Sequence, residues 1–164
     1  MDDRHHGRLT KDGIRIHDPE DFAGMYAAGR IAAEILDEIG EAVYPGATTA
    51  EIDDIITRKV TEKGTVSATI GYRGYQHASC ISVNHVVCHG IPGAKVLKDG
   101  DILNIDVTVI LDGWFGDSSR MYVAGTPSRK AERLIRVTHD SLMLGIEQVK
   151  PGNTFGDIGH AIQT

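Results

Sequence analysis

The sequence predicts an α+β fold, a largely antiparallel sheet with helices beside it. Three observations point there. Two strand-like runs, 102–111 and 114–123, flank Asp112-Gly113. Asp-Gly in that setting is a strong hairpin signal, because both central residues of a type I′ turn need φ > 0. Two stretches with helical apolar spacing and clear start signals precede the hairpin. Between them and the hairpin lie short β-branched runs.

Residues 1–12 read as a flexible tail, in which the His5-His6 pair is solvated or touches metal. Ile14-Arg15-Ile16 reads as a short strand. Asp18-Pro19-Glu20-Asp21 starts a helix: Asp as N-cap, proline first, acids in the first turn. Phe22, Met25, Ala28, Ala32, Ile35, Leu36 and Ile39 form its apolar stripe, and Tyr44-Pro45-Gly46 ends it. Thr48 and Glu51 form a capping box for a second helix, with Ile52, Ile55, Ile56 and Val60 as its apolar face and Gly64 as its stop. Thr65 to Tyr72, Ser79 to Val83 and Val86 to Cys88 read as short strands, with Asn84-His85 as the turn between the last two. Thr126-Pro127 starts a third helix with a stripe of Leu134, Val137, Leu142 and Ile146. Thr154 caps a fourth.

Composition narrows the function. The chain of 164 residues is long enough for one domain with a real core. A net charge of −6 argues against a nucleic-acid footprint, which needs a basic patch. No apolar run reaches membrane-spanning length, and the polar N-terminus lacks a signal-peptide core. Cys80 and Cys88 fit neither a CxxC motif nor a disulfide framework. A reduced, cytoplasmic setting follows.

The hairpin carries two acids that β-propensity disfavours, Asp106 and Asp117. A two-residue turn at 112–113 pairs 108 with 117 and 106 with 119. Asp106, Thr108 and Asp117 then share one face, the acids as diagonal neighbours roughly 7–8 Å apart at Cα. From there two carboxylates can converge on a metal pair spaced roughly 3.5–4 Å. They can equally be two solvated acids. Asp106 weighs against that, because a buried unpaired carboxylate costs several kcal/mol.

A repeat organises the rest. Val43-Tyr-Pro-Gly-Ala-Thr-Thr-Ala-Glu-Ile52 matches Val149-Lys-Pro-Gly-Asn-Thr-Phe-Gly-Asp-Ile158 at an offset of 106 residues. Helix, Pro-Gly and Thr-cap are common grammar, but the matched order favours duplication. The expected organisation is a single incomplete catalytic domain over 13–164. Its first half-repeat spans about 18–125 and its second begins at 126–164. The sheet's central edge would be unpaired, so the chain is expected to be a fragment or to depend on another chain.

The stretches MYAAGRIAAEIL (25–36), GYRGYQHASCISVNHVVCHGIP (71–92), LKDGDILNIDVTVILDGWFGDSSRMYVAG (97–125) and VKPGNTFGDIGHAIQ (149–163) resemble the type I, or bacterial-type, methionine aminopeptidases. CHGIP with NIDVT and GDSS carries the resemblance. It implies the pita-bread fold, two pseudo-symmetric halves around a curved antiparallel sheet flanked by helices. It implies a metalloaminopeptidase that removes the initiator methionine from nascent proteins by metal-activated water attack on the first peptide bond. The cofactors implied are two divalent ions, Co, Mn, Fe or Zn. Asp106 and Asp117 match the two aspartate ligands, and His89 the catalytic, substrate-contacting histidine. Tyr72, Tyr75, Cys80 and Thr69 match the methionine pocket, with Thr69 where Cys is frequent, and Thr108 matches a position behind the ligands. The ligand His and both ligand Glu find no match before Thr164, so the chain alone is expected to be inactive. His77, His85, His139 and His160 match no role. The partners implied are N-termini of nascent polypeptides near the ribosome, with no nucleic acid, no membrane and a monomeric state. A related Xaa-Pro metallopeptidase and a non-catalytic binding module of the same fold stand as alternatives.

Overall fold

A computed structural model describes residues 7–164, so the His5-His6 pair lies outside the described residues. The chain divides between Gly125 and Thr126 into two compact units. The first contains β1 (Arg8–Leu9), β2 (Arg15–Ile16), α1 (Pro19–Glu38), α2 (Thr49–Glu62), β3 (Val66–Ser67), β4 (Ser79–Val83), β5 (Ile102–Leu111) and β6 (Trp114–Val123). Short 3-10 turns at Gly40–Ala42 and Tyr72–Gly74 interrupt it. The second contains α3 (Arg129–Glu147) and α4 (Phe155–Gln163).

Every strand pairing is antiparallel, as the α+β reading expected. β5 is the spine of the main sheet. β6 pairs with its full length on one edge, from Ile102↔Val123 to Leu111↔Trp114. β4 and β3 share its other edge end to end, against Leu103–Val107 and Val109–Ile110. Period-two alternation then sorts the side chains. Leu103, Ile105, Val107 and Val109 are wholly buried. They share one core with Ala32, Ile35, Leu36 and Ile39 of and just after α1, and with Ile52, Ile56 and Val60 of α2. Each large aliphatic side chain in it contributes roughly 1.5–3 kcal/mol by burial. Both helices thus draw on one face of β5 and leave the even-numbered residues, among them Asp106 and Thr108, on the other.

Local chemistry explains the element boundaries. Thr48 and Glu51 make the expected capping box: Glu51 N donates to Thr48 Oγ1 at 3.2 Å, and Thr48 N to Glu51 Oε2 at 2.8 Å. Asp18 is the N-cap of α1 by backbone conformation, but its side chain makes no capping bond. α1 stops at Glu38, well before Tyr44-Pro45-Gly46. Its stripe is buried only from Ala28 onward, while Phe22 and Met25 stay 57% and 48% exposed. Gly24 already lies against Trp114 at the hairpin tip, so the turns before it run beyond the sheet.

Four expectations need correction. Part of the expected tail is a hairpin, Arg8–Leu9 with Arg15–Ile16, closed by Thr10, whose hydroxyl accepts from Ile14 N at 3.1 Å. The strand expected over 65–72 is reduced to Val66–Ser67. There Ser67 Oγ accepts from Thr69 N and Ile70 N, at 3.3 and 3.4 Å, and turns the chain away. Val86–Cys88 is a loop, because left-handed residues at Asn84 (φ 54°) and His89 (φ 55°) bracket it. The cap of α3 is Ser128, whose hydroxyl accepts from Ala131 N at 3.2 Å, and the helix begins after Pro127.

In the second unit, α3 and α4 pack through Gly145, which faces Ile158 and Ile162. The expected α3 stripe of Leu134, Val137, Leu142 and Ile146 remains exposed. α4 starts at Phe155 behind Thr154, whose N donates to Asp157 Oδ2 at 2.6 Å. The Thr154–Asp157 pair thus repeats the Thr48–Glu51 arrangement at the offset read from the sequence.

Candidate active site

The β5–β6 hairpin has the register its turn demands. Asp112 and Gly113 sit at φ 49° and 88°, both left-handed. Thr108 is directly opposite Asp117, and Asp106 is opposite Ser119. β4 adds Cys80 directly opposite Asp106 on the other edge. Cys80, Asp106, Thr108 and Asp117 therefore form one contiguous patch on the face away from the helices.

Asp117 perturbs Asp106. The Asp106 carboxyl is raised above the ordinary aspartate range, first by burial, then by the Asp117 charge and a hydrogen bond between the two carboxyls. His89 opposes the shift electrostatically. Two carboxyls this close want either a shared proton or a cation between them. Their hard oxygens suit a divalent ion. Among the described residues no three His, Cys, Asp or Glu side chains converge into a closed ligand set. The pair could hold a divalent ion from one side.

Loop geometry delivers the remaining side chains. After Ser67 turns the chain, Gly71 and the 3-10 turn carry Tyr72 and Tyr75 to the patch. His89 stands on a left-handed residue locked to β4 by its neighbour. Gly90 O accepts from Ile81 N at 2.8 Å, and Gly90 N donates to Ser82 Oγ at 3.0 Å. The result is an open groove of about 760 Å³, lined by Thr69, Tyr72, Tyr75, Cys80, His89, Asp106, Thr108 and Asp117. All eight candidate residues named from the sequence meet there. Burial pushes the Cys80 thiol and the Tyr75 hydroxyl up.

Arg73, Ile91 and Phe115 also line the groove and were not anticipated. Period two from Asp117 finds Phe115. Arg73, φ 49°, lies between two pocket tyrosines and stacks its guanidinium over Tyr72 at 5.4 Å. Of the histidines without a matched role, His160 is exposed on α4. Cys80 and Cys88 are both free thiols.

A sheet of this topology sets a pair of acids at an open groove. Residues 23–164 match the sequence profile of metallopeptidase family M24. The chain is 53% identical over 151 residues to the methionine aminopeptidase of Rickettsia prowazekii, covering 92% of this chain and 58% of that protein. The crystal structure of the Rickettsia prowazekii enzyme superposes with a TM-score of 0.89, covering 92% of this chain and 60% of that one. The methionine aminopeptidase of Escherichia coli K12 is also 53% identical, over 92% of this chain and 58% of its own length. A prolidase from Pyrococcus furiosus shares the fold at 19% identity and a TM-score of 0.78, over 89% of this chain and 42% of that one. The chain belongs to metallopeptidase family M24. It has the N-terminal part of the pita-bread fold and spans 58% of the length of the curated relatives named.

Proposed function

We propose that the whole protein is a methionine aminopeptidase that removes the initiator methionine from nascent polypeptides. The observation that carries this is the groove. It brings the acids Asp106 and Asp117 together with Thr69, Tyr72, Tyr75 and Cys80. An apolar, sulfur-lined recess suits a thioether side chain. The named relatives of the same family support the choice of methionine.

Each residue then has a task. Asp106 and Asp117 would hold divalent ions, two of them, drawn from Co, Mn, Fe or Zn; affinity alone does not choose among these. When bound, the ions activate water for attack and polarise the carbonyl. Thr108, directly across from Asp117 on the same face, flanks the acid. His89, at the groove's edge, donates to the scissile amide oxygen as charge builds there, a role of a few kcal/mol, order of magnitude. The pocket residues fix the methionine side chain and exclude water around it. The resemblance implies a further histidine and two glutamates as ligands, none of which matches a position in these 164 residues.

The setting we infer is the cytoplasm, near the ribosome, with a monomeric enzyme and neither nucleic acid nor membrane as partner. The net charge of −6 supports the absence of a nucleic-acid partner; no helix among the described residues is long and apolar enough to cross a membrane.

The test is hydrolysis of Met-Ala-Ser against Xaa-Pro peptides by the protein at full length, with Mn or Co added. Release of methionine, abolished by Asp117→Ala, is the expected result. Preference for Xaa-Pro bonds, or no hydrolysis of either, overturns the proposal.

A further inference from the structure

A buried acid outside the metal wall ties the pocket together. Asp53 lies on the buried side of α2, three residues before Ile56, and is 5% exposed. Its Oδ1 accepts from both Ser79 N, at 2.9 Å, and Ser79 Oγ, at 2.7 Å. Its Oδ2 lies 2.9 Å from His77 Nδ1. A carboxylate taken out of water needs such partners, and all three come from the turn that leads into β4.

That turn holds the pocket in its grip. The Ser79 carbonyl accepts from the Tyr75 hydroxyl at 2.8 Å, and the same hydroxyl lies 3.6 Å from Cys80 Sγ. The His77 carbonyl accepts from Thr69 Oγ1 at 2.7 Å. The His77 ring stands edge-on to Tyr75, centroids 5.5 Å apart. Thr69, Tyr75 and Cys80 each reach the Asp53 carboxylate through one residue, His77 or Ser79.

We propose that Asp53 is a positioning residue for the substrate pocket: by clamping the 77–79 turn to α2, its carboxylate fixes Thr69, Tyr75 and Cys80 and sets the pocket's fit to an unbranched thioether. His77, which the sequence left without a role, is part of this clamp. The inference rests on the reading of the groove as a methionine site. Asp53 itself lines no part of the groove, and its hydrogen bonds go to Ser79 and His77 rather than to the acids of the hairpin. Its loss should therefore act on substrate fit rather than on the metal-side chemistry.

Two measurements test it. In the protein at full length, Asp53→Ala should raise KM for Met-Ala-Ser on the order of tenfold, the loss expected for hydrogen bonds to a buried charge. It should leave kcat nearly unchanged and narrow the preference for Met over Leu at the first position. Asp53→Asn should recover most of KM, because its amide oxygen still accepts from Ser79. In a Cys88→Ser background, iodoacetamide should alkylate Cys80 severalfold faster in Asp53→Ala than in the parent or Asp53→Asn. A lowered melting temperature with KM and Met preference unchanged overturns the inference, as does unchanged Cys80 alkylation. If the parent protein hydrolyses no Met peptide, the proposed function fails, and the alkylation rate still decides the clamp.

Discussion

Gly116 of β6 is pressed against the main chain of α1: a Cβ built on Gly116 would fall 2.1 Å from the carbonyl oxygen of Ala28. Backbone touches backbone, so no side-chain rotation can relieve a methyl group there. The contact matters because Gly116 precedes Asp117, whose side chain projects from the opposite face of the same strand. α1 thus sits as close to the sheet as glycine allows, and that distance sets the height of the strand carrying Asp117.

Gly116→Ala should destabilise the chain by about 1–3 kcal/mol or more, the cost of overpacking a close contact. Urea unfolding of parent and variant measures it. Equal midpoints would show that α1 can move away from the hairpin freely.

The carboxyl pair gives the site a pH signature. The Asp106 carboxyl is raised by burial and by Asp117, so the folded chain holds a proton that the unfolded chain has lost. Between the unfolded aspartate range, roughly pH 4, and the folded value of Asp106, stability falls as pH rises. Below that window the penalty is absent; above it the penalty is complete. Asp106→Asn should therefore stabilise the metal-free chain at neutral pH and give little or nothing at pH 3. Melting temperatures across that range report it, and a gain independent of pH would remove the charge explanation.

What the sequence made legible was whatever depends on local chemistry. The Asp112-Gly113 turn fixed the register, and the register placed Asp106, Thr108 and Asp117 on one face. The capping box at Thr48–Glu51 and the stop at Gly64 depend on a few neighbouring residues, and both formed. The failures lie where a side chain outcompetes the ladder. Ser67 Oγ took the amides that would have extended β3, and His89 adopted a left-handed conformation that β-branched neighbours gave no reason to expect. Asp53 escaped notice because a helix stripe is read by its apolar members. Its spacing from Ile56 and Val60 nonetheless placed it on the buried side.

Tyr122 locks the far end of α1 to the hairpin. Its hydroxyl donates to the Leu36 carbonyl, beside the Arg120–Asp37 ion pair. Burial pushes this phenol up to about 12, against roughly 10 in the unfolded chain. Stability from this group is full below pH 10 and is lost as pH rises towards 12. Tyr122→Phe should cost about 1 kcal/mol at neutral pH. It should also flatten the alkaline loss of stability over that interval. Equilibrium unfolding at pH 8, 10 and 11.5 would read both effects, and an unaltered alkaline slope would assign it to other groups.

Metal binding by this chain should be real but weak. Two carboxylates supply part of a ligand set, so a dissociation constant on the order of 1 mM is expected, at the weak end of oxygen-ligated sites. At about 10 mM Mn that affinity stabilises the fold by roughly 1.4 kcal/mol through mass action. The effect should grow from pH 5 to pH 7.5, because the ion competes with the proton that Asp106 holds against Asp117. Asp106→Asn and Asp117→Asn should each remove it, while Asp54→Asn on the distant α2 surface should leave it intact. Thermal shifts with and without EDTA measure all four proteins. Equal Mn stabilisation in the hairpin variants would place the ion elsewhere and detach the two acids from any metal role.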